Sequence, residues 1–120
     1  MAKVMIVDDA LVMRKTLSSI LGQMGHTVIS EVSSGAQAVA EYEKLKPDVV
    51  TMDLNMPGMD GVKAIETIME RFPEARILVI SALGQKHMVF NAIEKGAKNY
   101  LVKPITMDKL SAVMASVVKG

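Results

Sequence analysis

Apolar residues in this chain occur either in short continuous runs or at helical spacing, and the two patterns alternate. The continuous runs are rich in Val and Ile, as is typical of strands buried on both faces of a sheet. They occupy residues 4–7, 27–29, 49–52, 77–80 and 100–102. A longer segment follows each run, so the pattern predicts five β-α units.

Each longer segment places apolar residues three and four positions apart, which predicts a helix with one buried face. The predicted stripes are Met13, Leu17, Ile20, Leu21 and Met24; Ala38, Val39, Tyr42 and Leu45; Ile65, Ile68, Met69 and Phe72; Met88, Val89, Ala92 and Ile93; and Leu110, Val113, Met114 and Val117. Asp60 and Thr106 stand where N-caps are expected for the third and fifth helices.

Strict alternation of strands and helices predicts an α/β fold, a doubly wound parallel sheet with helices on both faces. For five strands the common order is 2-1-3-4-5, as in flavodoxin-like folds. Right-handed crossovers then put the first and fifth helices on one face and the middle three on the other. The 120 residues are expected to form one domain, residues 1–120.

The composition narrows the functional classes. The net charge is +1 and the charges are interspersed, which argues against nucleic-acid binding and against a polybasic membrane anchor. No apolar run approaches the ~20 residues that cross a bilayer, and no signal-peptide pattern is present. Cysteine is absent, which excludes disulfide and thiolate chemistry, and a cytoplasmic location is expected.

Polar side chains follow four of the predicted strands. Asp8 and Asp9 follow the first, Asp53 the third, Ser81 the fourth and Lys103 the fifth. Each could merely cap a helix or start a turn, but independent capping gives no reason for them to converge at the edge where such sheets bind ligands. Clustered carboxylates raise one another's pKa unless a cation joins them, and Mg²⁺ suits oxygen ligands. A carboxylate nucleophile beside a cation and an ammonium group favours phosphoryl transfer to Asp.

The motifs at these strand ends resemble those of bacterial two-component response-regulator receiver domains over essentially the whole chain. The motifs are Asp8-Asp9, the segment from Asp53 to Gly61 (DLNMPGMDG), Ser81-Ala82 and Lys103-Pro104. Two further stretches, residues 8–14 and 84–100, are similar to the stand-alone chemotaxis members of that family. No output domain is expected in the chain, which favours the same subgroup.

The resemblance implies a metal and phosphoryl site. Asp53 would be the phosphoacceptor. Asp9 and Asp53 would bind Mg²⁺ directly together with the backbone carbonyl of Asn55, and Asp8 would act mainly through water. Asn55 and Leu83 would tune the lifetime of the acyl phosphate by acting on the attacking water.

The resemblance also implies a switch. Lys103 would pair with Asp53 and then with the phosphoryl oxygens, and its bond to Pro104 would be cis. Ser81 would donate a hydrogen bond to the phosphoryl group, and Tyr100 would turn inward in response. Phe90, expected to lie off the fourth helix's apolar stripe, and Tyr100 would belong to the face that binds partners.

The implied protein is a monomeric signalling protein rather than a metabolic enzyme. Its phosphoryl donor would be a phosphohistidine on a histidine kinase, and its target a flagellar motor switch protein or another effector. The alternatives are a stand-alone receiver in a non-chemotaxis phosphorelay, a Mg²⁺-dependent phosphatase of the haloacid dehalogenase type, a flavodoxin, or a receiver used only for binding. His26 and His87 match no functional position and are expected to lie at the surface. Arg14, on the first helix, is expected to be solvated, with a charge near the site edge as the alternative.

Overall fold

The computed structural model describes residues 1–119 and contains five strands and five helices in strict alternation. The strands are β1 (Lys3–Val7), β2 (Thr27–Val32), β3 (Val49–Asp53), β4 (Ile77–Ser81) and β5 (Asn99–Val102). The helices are α1 (Leu11–Gln23), α2 (Gly35–Leu45), α3 (Gly61–Arg71), α4 (Lys86–Glu94) and α5 (Met107–Lys119).

The strands form one parallel sheet in the order β2-β1-β3-β4-β5, which confirms the predicted fold. Apolar side chains form two buried clusters, one on each face of the sheet. One cluster takes its helical residues from α2, α3 and α4, and the other from α1 and α5. The predicted distribution of the helices is therefore also confirmed.

Strand β2 extends three residues beyond the predicted run, because it is an edge strand. It pairs only with β1, and its additional residues Ser30 and Glu31 are half-buried. A search for continuously apolar runs misses such residues, since one side of an edge strand meets solvent. The register of β2 against β1 also shifts between Val4 and Met5.

Two of the predicted stripe residues lie outside the core. Leu45, the last residue of α2, and Ile93 on α4 are 42% and 39% exposed. Ile93 instead lines a surface groove beside Tyr100 on β5. The two predicted caps are confirmed: Asp60 Oδ1 accepts from Lys63 N–H at 2.9 Å and Thr106 Oγ1 from Lys109 N–H at 3.2 Å.

None of the helices within residues 1–119 has both the length and the apolar character needed to cross a membrane.

Candidate functional site

The carboxyl ends of four strands bring the predicted polar residues to one edge of the sheet. Asp8 directly follows β1, Asp53 and Ser81 are the last residues of β3 and β4, and Lys103 follows β5. Asp8, Asp53 and Ser81 are buried, although a buried polar side chain is costly unless a partner compensates it. The fold therefore pays a desolvation cost to hold these groups together.

Three carboxylates meet at this edge. Asp8, Asp9 and Asp53 each offer an oxygen, and these atoms lie within 4.8 Å of one another. Asp9 is exposed, so the cluster opens to solvent on its side. Asp8 Oδ1 accepts a hydrogen bond from Ala10 N–H at 2.9 Å, while Asp8 Oδ2 is buried and has no partner among residues 1–119.

The two buried carboxylates resist ionisation. The pKa of Asp53 is raised from 3.8 to about 6: burial is the largest cause and the charge of Asp8 the second, while Lys103 opposes the rise. Burial likewise raises the pKa of Asp8. A hard divalent cation would relieve this cost and supply a partner for Asp8 Oδ2, so the residues present fit Mg²⁺.

Lys103 faces the same carboxylate from β5. Its Nζ lies 3.9 Å from Asp53 Oδ1, which is an ionic contact and too long for a hydrogen bond. The Lys103 N–H donates to the Ser81 carbonyl at 2.8 Å, which ties the segment after β5 to the end of β4. The Lys103–Pro104 peptide bond is cis, as expected.

The backbone of Gly61 packs closely against the backbone of Asp53 and Leu54. Gly61 is buried as the first residue of α3, and a Cβ there would overlap the backbone of Asp53 and Leu54. A side chain at this position would displace the end of β3 that carries Asp53. The requirement for glycine here is a matter of close approach between backbones.

Ser81 has a buried hydroxyl that lacks a hydrogen-bond partner among residues 1–119. It lies on β4, the strand that neighbours β3 and therefore Asp53. A hydroxyl so placed can donate a hydrogen bond to an acceptor group that binds at the carboxyl ends of these two strands. Thr51, on β3, has a similarly unpartnered buried hydroxyl, which sequence reasoning missed because Thr is common in strands.

Ser81 also lines a groove of about 360 Å³ between α4 and β5. Leu83, Phe90, Ile93 and Tyr100 line the same groove and are 84%, 62%, 39% and 47% exposed. The predicted exposure of Phe90 is confirmed, and Tyr100 is in an outward position in this structure. The groove connects the site edge to a partly apolar surface.

Two residues differ from their expected solvated state. Arg14 is only 16% exposed, since its guanidinium donates to the Asp8 carbonyl at 2.7 Å and lies 3.7 Å from Glu31. His26 is half-buried: its Nδ1 accepts from Ala2 N–H at 3.0 Å, and burial lowers its pKa. The contacts of Arg14 with Glu31 and of His26 with Ala2 join distant parts of the chain, so local sequence pattern carries no signal for them. His87 is exposed as expected.

Comparison with known families gives one match over most of the chain. The model of the response regulator receiver domain matches residues 4–115. The chain belongs to this family. Receiver domains act as phosphoacceptors in signalling and bind Mg²⁺ at an acidic pocket. This chain is therefore a signalling protein, and its cluster of three carboxylates matches the acidic pocket of the family.

The receiver is similar over nearly its whole length to proteins named chemotaxis protein CheY. It is 45% identical to that of Thermotoga maritima, covering 98% of both chains, and 41% identical to that of Listeria monocytogenes, covering 99% of this chain and 100% of the relative. Among solved structures it resembles a chain in the CheX–CheY–BeF3–Mg²⁺ complex from Borrelia burgdorferi. That match has a TM-score of 0.87 and 36% identity, and covers 98% of this chain and 87% of the other.

Proposed function

We propose that this receiver takes a phosphoryl group onto Asp53 in a Mg²⁺-dependent reaction and thereby switches a partner-binding face in chemotaxis signalling. The observation that carries the proposal is the convergence of three carboxylates, Lys103 and the unpartnered Ser81 hydroxyl at one sheet edge. The buried nucleophile, a cation site and a fixed ammonium group suit in-line phosphoryl transfer.

The carboxylates of Asp9 and Asp53 and the backbone carbonyl of Asn55 would hold Mg²⁺ directly, and Asp8 would hold it mainly through water. When bound, the ion would neutralise negative charge on the phosphoryl oxygens and on the carboxylates. The site needs such an ion because burial raises the pKa values of Asp8 and Asp53 and so disfavours their charged forms, which bind the ion and, for Asp53, attack phosphorus.

In the transfer step an Asp53 oxygen forms a bond to phosphorus while the bond from phosphorus to the donor breaks. With a phosphohistidine donor, the imidazole nitrogen leaves with the bonding electron pair and takes up a proton. Lys103 Nζ, already 3.9 Å from Asp53 Oδ1, pairs with the phosphoryl oxygens that appear there. The transfer leaves an acyl phosphate on Asp53 and a neutral histidine on the kinase.

The new phosphoryl group gives Ser81 the acceptor it lacks. A charge-assisted hydrogen bond of roughly 1.5–3 kcal/mol forms only in the phosphorylated state, which is enough to shift a two-state equilibrium about ten- to a hundredfold. Because Ser81 and Tyr100 line the same groove, movement of Ser81 changes the surface on which Tyr100 and Phe90 lie. Partner binding would respond to that change.

The lifetime of the acyl phosphate would depend on Asn55 and Leu83. Both are exposed near the site edge, Leu83 at 84%. Asn55 can orient an attacking water through its side-chain amide, whereas Leu83 can only shield.

The similarity to CheY proteins over nearly their whole length supports the chemotaxis part of the proposal. The expected donor is a histidine kinase and the expected target a flagellar motor switch protein or another effector, with the receiver acting in the cytoplasm as a monomer. The solved relative is a complex with CheX that contains BeF3 and Mg²⁺, which supports both partner binding and a metal site in the proposal. Membership of the receiver family excludes the flavodoxin interpretation.

Radiolabelled acetyl phosphate tests the proposal. Labelling of the wild type should require Mg²⁺ and should be absent in Asp53→Asn, because an amide cannot form the acyl phosphate. Asp60→Asn is the matched control, since Asn retains the cap of α3 and lies outside the cluster. Undiminished labelling of Asp53→Asn would refute the assignment, and continuous hydrolysis of phosphate esters would favour a phosphatase instead.

A further inference from the structure

Asp8 is held by three hydrogen bonds that leave one oxygen free. Its N–H donates to the Val32 carbonyl at 3.1 Å, its Oδ1 accepts from Ala10 N–H, and its carbonyl accepts from the Arg14 guanidinium. The remaining atom, Oδ2, is the buried one without a partner among residues 1–119. The bonds around Asp8 therefore direct a single oxygen toward the cluster.

The Arg14 contact is the strongest of these. It is a charge-assisted bond of 2.7 Å from a side chain that is 16% exposed. Arg14 lies in the first turn of α1 and reaches back to the end of β1, while its Nε lies 3.7 Å from Glu31 on β2. The guanidinium thus fastens the β1–α1 corner to the edge strand.

We propose that Arg14 is a positioning residue for the metal-binding carboxylates. The Asp8 carbonyl belongs to the planar peptide unit that also carries the Asp9 N–H, so the bond from Arg14 fixes the plane from which Asp9 projects. Asp9 is exposed, and packing does not fix its side chain. This role rests on the proposed function, because it is expressed through the Mg²⁺ site.

The charge of Arg14 and its positioning role predict opposite changes in Mg²⁺ affinity when Arg14 is replaced. A guanidinium near the cluster repels a divalent cation, so its loss should strengthen Mg²⁺ binding if only the charge matters. If Arg14 holds the Asp8–Asp9 peptide in place, its loss should weaken binding instead. Groups that orient metal ligands typically affect affinity by 10- to 100-fold, so we expect roughly a tenfold loss.

Calorimetric titration of unphosphorylated protein with Mg²⁺ at about pH 8, where free carboxyl groups are ionised, measures the sign directly. Arg14→Gln should bind Mg²⁺ roughly tenfold more weakly than the wild type. Lys15→Gln is the matched control, since Lys15 also pairs with Glu31, at 3.3 Å, but is 64% exposed and makes no bond to Asp8. It should bind as the wild type does.

Glu31→Gln alone keeps the role testable if Arg14→Gln folds poorly: it removes the charge that holds the guanidinium and should weaken Mg²⁺ binding, and unchanged binding would overturn the role. Where Arg14→Gln folds, the Glu31→Gln change should have a much smaller effect in that background than in the wild type, if Glu31 acts through Arg14. Equal effects in both backgrounds, or unchanged or tighter binding by Arg14→Gln, would overturn the positioning role alone. Absence of Mg²⁺ binding by the wild type would overturn the proposed function together with this role.

Discussion

Replacing Asp53 by Asn is expected to stabilise the protein in the absence of Mg²⁺. The pKa of Asp53 rises from 3.8 to about 6, with burial as the leading cause and the charge of Asp8 as the second. Asp53 as a whole residue is 4% exposed, so solvent screens this cost little. Asn has nearly the same shape and no charge, and it removes the cost while preserving the packing.

The magnitude follows from the size of the pKa change. A rise of about two pH units corresponds to about 3 kcal/mol at ~1.4 kcal/mol each. The buried Asn amide would be imperfectly hydrogen-bonded, which costs the variant about 1 kcal/mol and reduces its advantage. We therefore expect Asp53→Asn to raise the free energy of unfolding by about 2 kcal/mol at pH 7 in the presence of a chelator.

The effect should depend on pH with a defined sign. The folded-state pKa lies above the unfolded value, so protonation of Asp53 favours the folded wild type at low pH, and that contribution is lost as the pH rises through about 6. The advantage of the variant should therefore be small near pH 4 and complete by about pH 7. Saturating Mg²⁺ should reverse the order, because a ligand at 100 times its Kd stabilises the wild type by about 2.7 kcal/mol.

Urea unfolding followed by circular dichroism measures these differences; the chain has no tryptophan, so tryptophan fluorescence is not an option. Asp108→Asn is the control, an exposed Asp in the first turn of α5, for which a change within about 0.5 kcal/mol is expected. Equal or lower stability of Asp53→Asn at pH 7 without Mg²⁺, or an advantage that does not change with pH, would refute the electrostatic argument.

Three further predictions concern the switch and its output. Ser81→Ala should accept the phosphoryl group as the wild type does but fail to increase partner binding, whereas Ser81→Thr should retain both properties; normal output from Ser81→Ala would assign the response to another group. Leu83→Glu should accelerate autodephosphorylation severalfold by orienting water at an exposed position, and an unchanged decay rate of labelled protein would mean that residue 83 does not reach the water. Phe90→Ser should weaken binding of a motor-switch peptide, measured by calorimetry, without altering Mg²⁺ affinity; equal peptide affinity would place the partner face elsewhere.

The fold was predictable because its strands are buried on both faces and its helices on one. The central strands β3 and β4 are completely buried; β4 is apolar up to its last residue, and β3 has only Thr51 as a polar residue before Asp53. Only the first three residues of the edge strand β2 were predicted, because a strand whose outer edge meets solvent tolerates polar residues such as Ser30 and Glu31. Ile93 fits the apolar stripe of α4 by spacing but lines the groove instead, and spacing alone cannot distinguish a core from a surface cleft.

The site was predictable for a different reason. Parallel strands deliver their carboxyl ends to one edge, so chain order alone brings Asp8, Asp53 and Ser81 together. The contacts of Arg14 with Asp8 and Glu31 were not predictable, because they depend on the side-chain conformation of one residue and on the pairing of β1 with β2. The raised pKa of Asp53 likewise depends on how deeply the side chain is buried, and the spacing of residues in the sequence does not predict that depth.

The most direct test of the account is the location of the phosphoryl group. Borohydride reduces an acyl phosphate to an alcohol and so marks the residue that carried it, after which peptide mass spectrometry identifies the position. After phosphorylation with acetyl phosphate and Mg²⁺, the account predicts homoserine at position 53 and unmodified Asp8 and Asp9. Reduction at Asp8 or Asp9, or a stable phosphoryl group on Ser81 with an intact Asp53, would contradict it.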